Sequence, residues 1–96
     1  MRLSKEECNN LVNSIGHFRP FSEIFLFGSR ADKNKKGGDI DLLIIDEKPL
    51  TVDERVRIEM SFWEVFGPQK LDLVSFPKSS DDPFKRIALK NAIRLK

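Results

Sequence analysis

Two aspartates separated by a single residue, Asp39 and Asp41, the first of them eleven positions after Gly28, head the apolar run Leu42-Leu43-Ile44-Ile45. In an extended chain successive side chains alternate between faces, so both carboxylates fall on one side while Ile40 points away. Carboxylates at the head of so apolar a strand carry a solvation cost that calls for a compensating charge. Magnesium takes hard oxygen ligands, and a carboxylate pair on a rigid strand can bridge two such ions. Gly28-Ser29 supplies complementary equipment: the glycine lets backbone approach phosphate oxygens, and a serine hydroxyl with free N–H groups at a helix start can bond them. Asp72, bracketed by Leu71 and Leu73, is the candidate third carboxylate, placed to position an attacking oxygen and help remove its proton. Together these residues read as a site for a triphosphate and divalent metal. Three carboxylates in one cleft repel one another, so at least one pKa is expected to tend upward. Arg30 is the candidate cation for the phosphates, and Lys33, Lys35 and Lys36 are either further cations or a solvated loop.

The elements that must position these groups follow from spacing. Ser4 with Glu7 is a capping-box pattern, and Cys8, Leu11, Val12 and Ile15 recur at helical intervals, which predicts a helix over about 5 to 17. Ile24-Phe25-Leu26-Phe27 is a strand entering Gly28, and a short helix can open at Ser29. The strand over about 39 to 46 loses polar alternation after Asp41, as a central strand covered on both faces would. Asp46 to Leu50 is a turn. Thr51 with Glu54 is a second capping box, and the stripe Val52, Val56, Met60 and Trp63 predicts a helix over about 52 to 65, ended by Gly67-Pro68. Leu71 to Phe76 is a third strand. Phe84, Ile87, Ala88, Asn91 and Leu95 give one face of a last helix. The expectation is therefore three strands with flanking helices in one sheet-based core.

The chain of 96 residues makes one domain, 1 to 96, too small for a catalytic unit plus a separate substrate domain, so a large substrate must be recognised partly by a partner. A hydrophobic fraction of 40% with eight phenylalanines excludes a disordered chain. A net charge of +2, from 17 basic and 15 acidic residues, is too small to imply wrapping by nucleic acid. The one cysteine, Cys8, excludes an internal disulfide and fits a reducing compartment. The opening residues carry no signal-peptide stretch and no window reaches membrane-span length, so a soluble cytoplasmic protein is expected.

Taken together, Gly28-Ser29-Arg30-Ala31, Gly38-Asp39-Ile40-Asp41-Leu42 and Leu71-Asp72-Leu73 resemble the signature of the minimal nucleotidyltransferases of the DNA polymerase beta superfamily. The resemblance implies an α/β fold of the α+β type, with a small mixed β-sheet flanked by helices rather than a doubly wound arrangement. By resemblance, Gly28, Ser29 and Arg30 bind nucleotide, and Asp39, Asp41 and Asp72 are both catalytic residues and metal ligands, holding two Mg2+ ions with ATP as substrate. Members of this minimal class are commonly encoded beside a helical HEPN-domain protein, and some act as antitoxins that transfer adenylyl groups from ATP to a tyrosine of that ribonuclease toxin. The implied partner is thus a HEPN-domain toxin. Two positions depart from the usual pattern: Asp32-Lys33 stands where a glycine often follows, and Gly38 replaces a serine ahead of the first aspartate.

Two other functions share these residues. One is a stoichiometric antitoxin that blocks its partner sterically, with Phe62, Trp63 and Phe66 contributing an interface. The other is nucleotidyl transfer to RNA or a small-molecule hydroxyl, against which the near-balanced charge and short length argue. Cys8 precedes the phosphate motif within a helix and His17 stands alone at a helix end, so neither offers a covalent nucleophile and direct attack is expected.

Overall fold

The computed structural model describes residues 2–32, 34 and 38–96; the lysines 33, 35 and 36 considered above lie outside the described residues. Along the chain come α1 (Lys5–Phe18), β1 (Glu23–Phe27), a 3-10 turn (Gly28–Ala31), β2 (Ile40–Asp46), α2 (Val52–Phe66), β3 (Leu71–Pro77), α3 (Pro83–Leu89) and β4 (Ile93–Arg94). The sheet order is β3-β2-β1-β4. β2 and β3 run parallel while β1 is antiparallel to both β2 and β4, which makes the sheet mixed, as the family resemblance implies.

Burial explains why β2 shows no polar alternation. Ile40, Leu42 and Ile44 enter a core with Leu11 and Ile15 of α1 and Ile58 and Phe62 of α2. Leu43 and Ile45 pack on the other face against Ala88 of α3, flanked by Phe25, Val74 and Phe76. A central strand covered on both sides must be apolar at consecutive positions. Phe62 is completely buried, and its truncation to alanine would cost about 3–5 kcal/mol.

Both predicted capping boxes form. Ser4 Oγ accepts from the Glu7 N–H at 3.0 Å and the Ser4 N–H donates to Glu7 Oε1 at 2.9 Å. At α2 the Glu54 N–H donates to Thr51 Oγ1 at 3.1 Å and the Thr51 N–H to Glu54 Oε1 at 2.8 Å. The Glu54 carboxylate also holds Arg19 at 2.8 Å, which ties α2 to the end of α1.

Two expectations need correction. The helical face running on to Leu95 is cut short: α3 ends at Leu89 and Ile93–Arg94 form a fourth strand. Ile93 pairs with Leu26 and Arg94 with Phe25, filling the free edge of β1, and Arg94 adds an ion pair to Glu23 at 3.0 Å. Backbone pairing thus outweighs a local pattern that suits a helix equally well. On α2 the stripe Val52, Val56, Met60 and Trp63 does mark a helix but not its inner face. Ile58 and Phe62 are buried instead, and Val52, Val56 and Met60 are exposed. Phe66 leans on Phe62 with ring centroids 4.7 Å apart, so these two phenylalanines serve the core and leave only Trp63 at the surface. Among the described residues, no helix is long and apolar enough to cross a membrane.

Replacing Thr51 by alanine removes one half of the α2 box, with an expected loss of about 1 kcal/mol. Thermal unfolding followed by circular dichroism should show a Tm lower by about 4–8 °C, with Thr51→Ser close to wild type.

Candidate active site

The C-terminal end of β1 and the N-terminal ends of β2 and β3 meet at one margin of the sheet, where Phe27 pairs with Asp41 and Asp41 with Asp72. Directly opposed residues of a parallel pair present their side chains to one face. That face is the one covered by α3, because Leu43, Ile45, Val74 and Phe76 follow in alternation from Asp41 and Asp72 and pack there. Asp39 sits just ahead of β2 and is exposed. The register that sequence could not settle therefore brings Asp72 beside Asp41.

The electrostatics follow from this crowding. Asp41 is raised above its ordinary value of 3.8 by burial, then by the Asp72 and Asp39 carboxylates, with Lys70 pulling the other way. Lys70 Nζ lies 3.5 Å from Asp39 Oδ2 with both side chains largely in solvent, a surface pair worth little and readily exchanged. Among the described residues, no three His, Cys, Asp or Glu side chains converge tightly enough to hold a metal ion by themselves.

Gly28 adopts φ +73, in the left-handed region that glycine enters without strain. A Cβ built on it would fall 2.3 Å from Asp41 Oδ2, so the chain leaves β1 by passing its bare backbone against the carboxylate. Beyond this contact opens a cleft of about 790 Å³, with Gly28, Ser29 and Asp32 on one side and Phe84, Ile87 and Asn91 on the other. Asp72 borders a second, smaller recess of about 230 Å³ toward α2, with Arg55, Val56 and Glu59.

Arg30 turns back to the protein. Its Nη1 donates to the Arg2 carbonyl at 2.7 Å, and Nη2 and Nε donate to the Gly38 carbonyl at 3.1 and 3.3 Å. The Gly38 carbonyl also accepts from the Gln69 side chain, and the Gln69 carbonyl from Trp63 Nε1 at 2.7 Å. The segment entering Asp39 is thereby anchored to both the 3-10 turn and the end of α2. A Cβ at Gly38 would meet nothing within 4 Å, so this position can accommodate a serine. Arg2, Gln69 and Lys70 are site neighbours that sequence reasoning missed. Gln69-Lys70 immediately precedes the Leu71-Asp72 motif, the one signal that could have drawn attention to them.

Two outcomes follow. Gly28→Ala forces the Asp41 carboxylate aside and strains the turn, which should lower turnover by about 100-fold or more in a nucleotide-transfer assay. Because Asp41 holds its proton more tightly in the folded chain than in the unfolded one, its contribution to stability is complete at low pH and is lost as pH rises through the raised value. Metal-free Asp41→Asn should accordingly melt higher than wild type at neutral pH, and the gap should close as pH falls below 3.8.

Comparison with known proteins identifies the family and the fold. Residues 9–96 match the family described as Polymerase beta, Nucleotidyltransferase. A probable protein adenylyltransferase, MntA, of Haemophilus influenzae is 39% identical over 89 residues, spanning 92% of this chain and 77% of the relative. The fold resembles a mutant toxin-antitoxin MntA-HpeT crystal structure with a TM-score of 0.70 at 17% identity, covering 93% of this chain and 71% of the other. It also resembles a structure of a tri-AMPylated Shewanella oneidensis HEPN toxin in complex with MNT antitoxin, with a TM-score of 0.68 at 18% identity over 96% and 71% of the two chains. With a family match over nearly its whole length and a carboxylate-lined margin beside a Gly-Ser turn, the chain belongs to the polymerase beta nucleotidyltransferases.

Proposed function

We propose that this chain moves AMP from ATP to a hydroxyl of a HEPN-type toxin and so acts as its antitoxin. The observation that carries the reading is the register of β2 with β3, which sets Asp41 beside Asp72 while Gly28 lies against the same carboxylate. The relative named as a probable protein adenylyltransferase supports adenylyl transfer to protein, and the fold shared with toxin-antitoxin structures supports the partner class.

The chemistry of the donor set fits a divalent cation. Asp39 and Asp72 add negative charge beside Asp41, which Lys70 partly offsets, and hard oxygen donors are what magnesium takes. These three residues would hold it together with phosphate oxygens of the nucleotide rather than by themselves, and when bound it would supply neutralisation of phosphate charge and acidification of the acceptor hydroxyl. The remaining work belongs to the chain. Gly28 and Ser29 bind phosphate oxygens, the glycine by close backbone approach and the serine by its hydroxyl. Arg30 keeps the turn and the Asp39 segment at a fixed separation through its bonds to Arg2 and Gly38. The acceptor oxygen forms a bond to the α-phosphorus as the bond to pyrophosphate breaks, and Asp72 takes the acceptor proton. No covalent enzyme intermediate is required, since Cys8 packs against the core beneath α1, across the sheet from the carboxylates, and His17 is exposed at the far end of that helix.

The second reading, a purely steric antitoxin, draws on the exposed apolar stripe of α2 formed by Val52, Val56 and Met60. One experiment separates the two. Incubation with magnesium, ATP and a HEPN-type toxin, read by intact mass, should add whole AMP increments to the partner. Asp72→Asn should reduce that addition by about 100-fold or more while leaving the complex assembled. Neutralisation that survives in this variant with no added mass would establish the steric reading instead.

A further inference from the structure

The cleft beside the Gly28-Ser29 turn has two walls of different chemistry. The turn itself is polar. Opposite it stand Phe84 and Ile87 of α3, 45% and 70% exposed although both are large apolar side chains. Scattered exposed apolar residues need no explanation, but two on one helix face lining a cleft opposite a polar turn have the composition of a ligand site. Phe84 and Ile87 stand three apart on one face of α3, and Asn91, in the turn after the helix, lines the same cleft.

The Phe84 ring is fixed in place. It meets Phe27 edge-on at 5.9 Å and 82° and Phe76 at 6.3 Å, so β1 and β3 hold the aromatic platform steady. Phe27 is also the strand partner of Asp41, which makes this platform continuous with the carboxylates. The volume of about 790 Å³ accommodates a ligand of nucleotide size. Asn91 is exposed at the cleft, and its carboxamide makes no hydrogen bond to another described residue. It offers a donor and an acceptor side by side. That pair matches the amino group and N7 of adenine, whereas guanine presents two acceptors along the same edge.

We infer that α3 and the turn after it are the base-recognition wall of the nucleotide site, with Phe84 and Ile87 covering the face of the base and Asn91 reading its edge in favour of adenine. This inference rests on the nucleotidyl-transfer reading and adds to it the residues that choose the nucleotide. Apolar and aromatic contact supplies affinity for any base, and the amide supplies the choice.

The test is calorimetric titration of the whole chain, in magnesium, with ATP, GTP and inorganic tripolyphosphate. ATP should bind more tightly than tripolyphosphate. Phe84→Ala and Ile87→Ser should each weaken ATP by about tenfold and leave tripolyphosphate within about twofold. Asn91→Ala should bring ATP and GTP to nearly equal affinity. Ile87 is at an exposed position, so Ile87→Ser decides the matter should Phe84→Ala fail to fold. Wild-type affinity equal for ATP and tripolyphosphate, or ATP affinity unchanged in the α3 variants, would overturn the inference and leave the nucleotidyl-transfer reading standing. An ATP preference that persists in Asn91→Ala would overturn the assignment of edge reading. Failure of both ATP and tripolyphosphate to bind the wild-type chain would overturn that reading and the inference with it.

Discussion

The parallel pairing of β2 with β3 is the constraint on which the site depends. Leu71 and Leu73 must enter the core beneath α1 and α2 together with Ile40, Leu42 and Ile44, because exposing them would forfeit the burial that holds both helices. In a pleated strand this demand turns the alternate residues outward on the opposite face. A slip of one residue would drive Asp72 into the hydrocarbon core, at the cost of burying an uncompensated charge. Core formation therefore sets the register, and the register sets Asp41 beside Asp72.

Such alignment leaves the folded chain with electrostatic tension. Asp41 is partly buried and flanked by two like charges, and Lys70, which offsets them in part, is a solvent-exposed lysine paired with Asp39. Gly28 aggravates the crowding by passing its backbone against the carboxylate. A fold selected for stability alone would place an amide at this position. Retaining a charge there fits the proposed arrival of a cation with the substrate, which would reverse the local balance.

Around this margin the elements divide their tasks by face. α1 and α2 close the core on one side of the sheet, and α3 stands on the other, beside the carboxylates and the cleft. Asp72 borders the smaller recess against α2, while Gly28, which lies against Asp41, borders the larger cleft. A transfer reaction that brings donor and acceptor from different directions suits this arrangement. The hydrogen-bond line from Trp63 through Gln69 and Gly38 to Arg30 keeps the approach to Asp39 anchored, which limits the reorganisation left for the moment of reaction.

Local chemistry determined much of this protein. The two capping boxes, the glycine turn, the three principal strands and the grouping of Asp39 with Asp41 are each written within a few residues, and each depends on neighbours in the chain. What tertiary structure decided were the features that depend on distant partners. Ile93 and Arg94 became a strand because β1 offers a free edge, and the Val52, Val56, Met60 stripe turned outward because Ile58 and Phe62 fill the space over β2 more completely. Arg30 faces the Arg2 and Gly38 carbonyls rather than open solvent, a choice made by loop closure that no motif records. The pairing of Asp72 with Asp41 across a 31-residue separation likewise required the core to form, since hydrophobic burial, and not any local preference, aligns the two strands.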